Sequence, residues 1–182
     1  AISAHLWGKP SFSYYGSVGG LVGNNSQDGS EAGIIDNSYS IGNVSGAAGL
    51  FVVRLGGLVG TKEGNIIHSY SAINVSGNDI VGGLVGNNVR NISNSYSCGG
   101  KVSVMSYLGG FIGITSSTSN ISFSYSANTI NEIATIGGFV SEEEGTSKFN
   151  SNIYDYEIDG GDYNDIGDPP GNLSEIYAST TA

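Results

Sequence analysis

Short apolar stretches of three to six residues recur along the chain, and Gly, Asn and Ser separate them. Within each stretch apolar and polar positions alternate, which is typical of short strands. No window places apolar residues at i, i+3, i+4 and i+7 over three turns, so the sequence predicts no amphipathic helix. The pattern therefore predicts an all-β chain of many short strands joined by turns.

The first landmark of this pattern is a glycine pair followed by a large apolar residue. Five copies occur, spaced by 37, 26, 27 and 28 residues. A period near 27 residues is typical of a repeat array, in which each unit buries its apolar face only against its neighbours. The residues predicted to build this landmark are Gly20, Leu21, Gly57, Leu58, Gly83, Leu84, Gly110, Phe111, Gly138 and Phe139.

The second landmark is a Ser-Tyr-Ser triplet, whose tyrosine lies four residues after an isoleucine in four of the units. A degenerate fifth copy is Asn152-Ile153-Tyr154-Asp155. A third landmark, x-Val-Ser, comes after the triplet in three units. The tyrosines of the four complete triplets are Tyr39, Tyr70, Tyr96 and Tyr125.

Three strands of about five residues and three turns fill about 27 residues, which is one coil of a triangular parallel β-helix. The sequence therefore predicts a parallel β-solenoid of about five coils, with identical residues stacked about 4.8 Å apart. Glycine would supply the positive φ of tight corners, and Asn at turns would form amide ladders. The insertion between Gly23 and Ile34 would protrude as a loop and account for the long first spacing. The alternative is an antiparallel β-sandwich.

The direction of the tyrosine side chains depends on strand parity. Each tyrosine lies an even number of positions after its isoleucine, so both would face the same side of one strand. Hydrophobicity then predicts that the tyrosines point inward. The alternative register buries a serine ladder and leaves the tyrosines outside.

Charge and composition exclude two classes of interaction. The chain has 182 residues with six Lys and Arg and a net charge of −10, so it offers no basic stripe to nucleic acid. No run of 18 apolar residues exists, so no membrane-spanning helix is predicted. The single cysteine, Cys98, is predicted to be a small buried hydrophobe in a turn, and the alternative is a bridge to another chain.

Catalytic chemistry finds little support among the side chains. The two histidines, His5 and His68, lack metal-ligand spacing, and the Gly-x-Ser-x-Gly motif is absent, so the chain is predicted to be no enzyme and to need no cofactor. One acidic segment resembles the start of a calcium loop, but its twelfth position is Ile166 instead of Glu. Two interpretations stay open for it. It is either a solvated acidic tail or a calcium site formed by Asp155, Asp159, Asp162 and Asp165.

Asn-x-Ser sequons are the candidate modification sites. Several of them belong to the repeat itself, so two interpretations stay open. The asparagines are either glycosylated or recur only because they are part of the repeat. The sequons are at Asn24, Asn43, Asn74, Asn91, Asn120 and Asn172.

The three landmarks together resemble the GLUG repeat over about residues 17–160. The segment 152–161 is also similar to the ending of GLUG arrays, although the Trp of that ending is absent. The family occurs in large secreted or surface-anchored proteins of bacteria and archaea, including some immunoglobulin-A proteases and adhesin-like proteins. The resemblance implies a secreted or cell-surface location and a structural or adhesive role. The His-Glu-x-x-His motif of the protease domain is absent, so the resemblance implies no catalytic residue.

The landmarks divide the chain into a repeat array at 17–160, an N-terminal cap or docking segment at 1–16 and an acidic C-terminal tail or cap at 161–182. Open solenoid ends expose unpaired strand edges, so end-to-end self-association into a filament or sheath is the predicted assembly. The predicted function is that of a non-enzymatic extracellular structural or adhesive protein. The alternative is a module that binds a surface carbohydrate or a host or matrix protein through the tyrosines or the loop at 23–34. Outward tyrosines would favour this alternative.

Overall fold

The computed structural model describes residues 2–4, 15–28, 31–46, 52–103, 106–115, 119–130, 135–155, 166–168 and 176–179. These residues form 25 strands and no helix. All but two of the strands belong to four parallel sheets, which the chain visits in turn. The described part of the chain is therefore a parallel β-solenoid, as the repeat period predicted, and not an antiparallel sandwich.

The sheets are numbered in the order in which one coil visits them. Sheet 1 contains β2 (Tyr15–Gly19), β8 (Val52–Gly56), β12 (Ile80–Gly82), β16 (Tyr107–Gly109) and β20 (Thr135–Gly137). Sheet 2 contains β3 (Val22–Asn25), β9 (Val59–Lys62), β13 (Val85–Asn88), β17 (Ile112–Thr115), β21 (Val140–Glu143) and β24 (Ile166–Asp168). Sheet 3 contains β6 (Ile34–Asp36), β10 (Asn65–Ile67), β14 (Ile92–Ser93), β18 (Asn120–Ser122) and β22 (Lys148–Asn150). Sheet 4 contains β1 (Ile2–Ala4), β7 (Tyr39–Gly46), β11 (Tyr70–Ser76), β15 (Tyr96–Ser103), β19 (Tyr125–Ile130), β23 (Asn152–Asp155) and β25 (Ile176–Ser179).

Each coil has four strands instead of the three that the sequence predicted. Sheet 1 holds five strands, so the chain completes four turns between β2 and β20, and β21, β22 and β23 continue into a fifth coil. The strand registers place identical residues of successive coils above one another: Tyr70 pairs with both Tyr39 and Tyr96. Identical residues therefore form ladders along the solenoid axis, as expected for stacked repeats.

The strand boundaries differ from the prediction in three ways. The chain turns within each glycine-pair stretch, which divides it between sheets 1 and 2, and the tyrosine and the x-Val-Ser stretch lie in one strand of sheet 4. In addition, one left-handed residue separates sheet 3 from sheet 4. This residue turns the chain between each isoleucine and its tyrosine, so a parity count carried across it fails. Ile66 is fully buried, whereas Tyr39 is 57% exposed. The prediction of inward tyrosines is therefore wrong, and the alternative register with buried serines is observed. The left-handed residues have φ between 47° and 53° and are Asn37, His68, Asn94, Phe123 and Ser151.

The glycine pairs serve close packing and not positive φ. Among the described glycines, positive φ occurs at Gly42 and Gly99, which belong to no pair. A Cβ on Gly56 in sheet 1 would lie 2.7 Å from the backbone nitrogen of Gly86 in sheet 2. Sheets 1 and 2 thus meet backbone to backbone along the row of glycine pairs, which we call the waist. The expectation that glycine supplies the positive φ of tight corners is wrong for the corners between sheets 3 and 4; Asn and His, which tolerate the left-handed region, occupy three of them.

The waist separates two apolar cores. The first lies between sheets 2 and 3 and the adjoining part of sheet 4, and the second lies between sheets 1 and 4. The first core contains Ile35, Leu58, Val59, Ile66, Leu84, Val85, Ile92, Phe111, Ile112, Ile121, Phe139, Val140, Phe149, Tyr154 and Ile176. The second contains Val18, Val44, Val53, Leu55, Ile73, Val75, Val81, Val102, Leu108 and Ile130.

The long first spacing comes from two insertions. Asn25 pairs with Lys62 and Ile34 with Asn65, so the segment at 25–34 has six extra residues, within which β4 (Gln27–Asp28) and β5 (Glu31–Ala32) form an antiparallel pair. The strand pairing on either side of the segment 46–53 shows that this connection between sheets 4 and 1 is five residues longer than the equivalent connection in the next coil. The predicted loop between Gly23 and Ile34 therefore accounts for only part of the added length.

Candidate functional site

The outward side of sheet 4 carries the tyrosine ladder of the repeat. The rings of Tyr39, Tyr70, Tyr96 and Tyr125 stack with centroid separations of 5.2, 4.8 and 4.9 Å, and adjacent planes are within 8° of parallel. Ile153 occupies the next position of the ladder and is 45% exposed. We call these five side chains the tyrosine face.

The tyrosine face presents ring edges and hydroxyls to a partner, because the ring faces stack on one another along the axis. Only the two end rings have a face that no neighbouring tyrosine covers. The outward positions next to the ladder are mostly small or uncharged, with Lys101 as their one charged side chain. These positions are Ile41, Ala72, Cys98, Ala127, Asn43, Asn74, Lys101 and Thr129.

The two serines of each triplet hold the tyrosine between them. The serine before the tyrosine donates its hydroxyl to the carbonyl two residues earlier, as Ser69 does to Ile67 at 2.7 Å, which closes the left-handed corner. The serine after the tyrosine is buried and reaches the waist, where Ser40 donates to the Gly57 carbonyl at 2.7 Å. The triplet thus fixes the backbone on both sides, and the tyrosine can only point outward.

Ionisation is suppressed at two tyrosines of the face. Burial, followed by repulsion from Tyr70 and Cys98, raises the pKa of Tyr96, and burial is also the main cause of the raised pKa of Tyr125. Burial raises the pKa of the Cys98 thiol. Cys98 is half-buried in β15, before a bulge at Gly99, and not in a turn as the sequence suggested. The face is therefore neutral around pH 7.

The left-handed corners flank the tyrosine face and add two contrasting features. His68 Nδ1 lies 3.2 Å from Asp36 Oδ1, and both side chains are exposed. Phe123 is 64% exposed beside Tyr125, although an aromatic residue is uncommon in the left-handed region. The Phe123 end of the face is consequently the more apolar one.

The first repeat unit matches a known sequence motif. The sequence model described as the GLUG motif matches residues 14–45. The chain carries a GLUG motif. That segment contains the first glycine pair, the first Ser-Tyr-Ser triplet and the first x-Val-Ser. The later units stack on this GLUG unit with equivalent residues in register. Comparison with curated proteins and with solved structures gave no match.

The predicted metal and modification sites are only partly in view. Asp155 is nearly buried in β23, whereas Asp159, Asp162 and Asp165 lie outside the described residues, as does His5. Within the described ranges no three metal-binding side chains cluster, and no helix could cross a membrane. Asn172 also lies outside them. The sequon residues with exposed side chains are Asn24, Asn43, Asn74, Asn91 and Asn120.

Some of these asparagines form amide ladders, although on strands and not at the turns where the sequence predicted them. Asn74 Nδ2 donates to Asn43 Oδ1 at 2.7 Å across two coils of sheet 4. On sheet 3, Asn150 Nδ2 donates to Asn120 Oδ1 at 2.8 Å. Asn43, Asn74 and Asn120 are therefore both sequon residues and members of a side-chain ladder.

Sequence reasoning missed a buried polar column at the end of the sheet 2 strands. Lys62, Asn88, Thr115 and Glu143 succeed one another at one register position, and all four are buried. Burial, followed by repulsion from Arg90, holds the pKa of Lys62 well below its usual range. A signal was available, because each of the four lies five residues after the second glycine of its pair.

Proposed function

We propose that the chain is a non-enzymatic repeat segment of an extracellular adhesive protein, and that the tyrosine face is its contact surface. The observation that supports this most directly is the unbroken row of four outward tyrosines on a parallel sheet. Tyrosine combines a large apolar body with a polar tip and is enriched at protein interfaces. A solenoid that needs no cofactor presents this row on a stiff support.

The chemistry of the face favours a protein partner over a carbohydrate. Sugars are held largely by stacking on exposed aromatic faces, and here the inner ring faces are covered by neighbouring rings. Ring edges, hydroxyls and the exposed side chains of Ile41 and Ile153 suit instead an uncharged protein surface of mixed polarity. The proposed partner is therefore a host or matrix protein.

Replacing the two central tyrosines should abolish adhesion. We expect the Tyr70→Ser/Tyr96→Ser double variant to bind a surface coated with its protein partner at least tenfold more weakly, because central aromatic residues dominate interfaces. Retention on surfaces coated with fibronectin, collagen, mucin and cellulose, measured by surface plasmon resonance, is the assay. Retention on cellulose alone would instead support the carbohydrate alternative.

The matched control is Glu144→Ser/Lys148→Ser, which replaces two exposed residues outside the tyrosine face and leaves the net charge unchanged. It should retain wild-type binding, and both variants should keep the β-sheet circular dichroism signal. Equal binding by wild type and the tyrosine variant on every surface would reject the tyrosine face as the contact surface.

End-to-end assembly is the second candidate function. Within the described part of the solenoid, β2 and β20 are the edge strands of sheet 1 and each pairs on one side only. Stacking of β20 against β2 of the next copy would continue the parallel ladder and make a filament. We expect particle mass in light scattering to grow with concentration and fibres in negative-stain electron microscopy. Uniform monomers at high concentration would contradict it.

A further inference from the structure

The buried polar column places an amine against a carboxamide in the protein interior. Lys62 and Asn88 are direct partners on the neighbouring parallel strands β9 and β13, and both are fully buried. Lys62 Nζ donates a hydrogen bond to Asn88 Oδ1 at 2.7 Å. The amine therefore lies beside the carbonyl group of the amide, in a site from which water is excluded.

The two groups are in the states that acyl transfer requires. The lowered pKa of Lys62 favours its neutral, nucleophilic form, and its cause is burial followed by repulsion from Arg90. Asn88 is held by its other atom: Nδ2 donates to Thr115 Oγ1 at 3.1 Å and to Ser119 Oγ at 3.2 Å. The carbonyl oxygen thus faces the amine, and the leaving nitrogen faces two hydroxyls.

We propose that Lys62 and Asn88 join in an intramolecular isopeptide bond. A bond forms between Lys62 Nζ and Asn88 Cγ, and the bond between Cγ and Nδ2 breaks. Nζ loses one proton and Nδ2 gains one, so the products are a secondary amide and ammonia. No oxidant, cofactor or net proton is needed.

The surrounding side chains supply what the step needs. The hydroxyls of Thr115 and Ser119 contact the departing nitrogen and bond to each other at 3.1 Å, and Ser119 bonds to Ser147 at 2.8 Å. These hydroxyls are therefore placed to protonate the nitrogen as it leaves, and the proton lost by Nζ replaces the one they give. The positive charge of Arg90 favours the oxyanion that develops on Oδ1. Fixed orientation removes the entropy cost of bringing the two groups together.

The bond would lock two coils of the solenoid together. Lys62 and Asn88 are 26 positions apart in sequence, so the cross-link closes one coil covalently. A closed loop reduces the entropy of the unfolded chain, in the same way as a disulfide. It would also stop the second and third coils from separating when the solenoid is pulled along its axis.

Mass spectrometry of the purified chain tests the proposal. The intact mass should be lower than the sequence mass by one ammonia molecule, and a tryptic digest should contain a branched peptide that joins Lys62 to Asn88. Lys62→Met and Asn88→Ala should each restore the calculated mass for their sequence. Lys101→Met, which removes an exposed lysine next to the Asn43 and Asn74 ladder, should keep the deficit.

The thermal midpoint of a double variant gives a second readout. If the cross-link forms, Lys62→Met/Asn88→Leu lowers the thermal midpoint, because it removes the closed loop. If the two side chains are joined only by the hydrogen bond, the double variant keeps or raises the midpoint, because both members of a buried polar pair are replaced by apolar side chains. Should either variant fail to fold, the wild-type digest decides alone: unbranched peptides after a week of incubation at pH 8 would overturn the proposal.

Discussion

Replacing Gly83 with alanine is expected to lower the free energy of unfolding by about 3 kcal/mol or more, because the waist has no room for a methyl group. The new Cβ would lie 2.0 Å from the Gly110 carbonyl oxygen and 2.5 Å from Asn128 Nδ2. The first of these atoms is backbone and cannot move without opening the glycine row between coils. Urea unfolding followed by circular dichroism measures the change.

The matched control is Gly99→Ala, at a glycine that has no atom within 4 Å of an added Cβ. It should cost only about 1 kcal/mol, which is the strain of its positive φ with a non-glycine residue. Similar losses for the two variants would show that the coils do not approach as closely at the waist as the structure places them.

Replacing Phe111 with alanine is expected to cost about 3 to 5 kcal/mol. Phe111 is fully buried in the first core, and its ring stacks on Phe139 with a centroid separation of 4.7 Å. The solenoid is close-packed between two strand layers, so the neighbours can fill the resulting cavity only in part. A loss of that size removes a large share of the stability of an ordinary domain, which is about 5 to 15 kcal/mol.

Phe123→Ala is the control for this prediction, because it deletes the same ring from a side chain that is 64% exposed. It should change the free energy of unfolding by no more than about 0.5 kcal/mol. The same urea experiment serves both variants. If Phe111→Ala were as mild as Phe123→Ala, the phenylalanine stack would not be part of a tight core.

The outward tyrosines change the balance between the functions that the sequence left open. Inward tyrosines would have made the chain a plain scaffold, whereas an ordered, neutral aromatic row on the outside favours a binding surface. The proposed adhesion and the proposed self-assembly involve different parts of the solenoid, its side and its ends. The two proposals can therefore hold together, and their tests are independent.

The repeated sequence motifs by themselves determined the parallel solenoid and its period. A glycine pair and a Ser-Tyr-Ser triplet at nearly constant spacing require units that stack, and stacking places like residues in ladders. The first core could also be predicted, because Leu58, Leu84 and Phe111 occupy the same slot of the repeat. The GLUG resemblance rested on the same repeated motifs, and the match at 14–45 confirms it for the first unit.

Only the tertiary structure decided which way the tyrosines face and why the glycines are there. One left-handed residue between Ile66 and Tyr70 reverses the inside and outside of the strand, and a parity count cannot detect it. Likewise, the glycine pairs are needed because the backbones of successive coils approach each other closely. These backbones are adjacent in space, but in three of the four intervals between glycine pairs they are 26 to 28 residues apart in sequence. The same distance along the chain separates Lys62 from Asn88, whose contact exists only because one coil returns above another. Local sequence encodes the strands, whereas packing between coils decides which side chains meet.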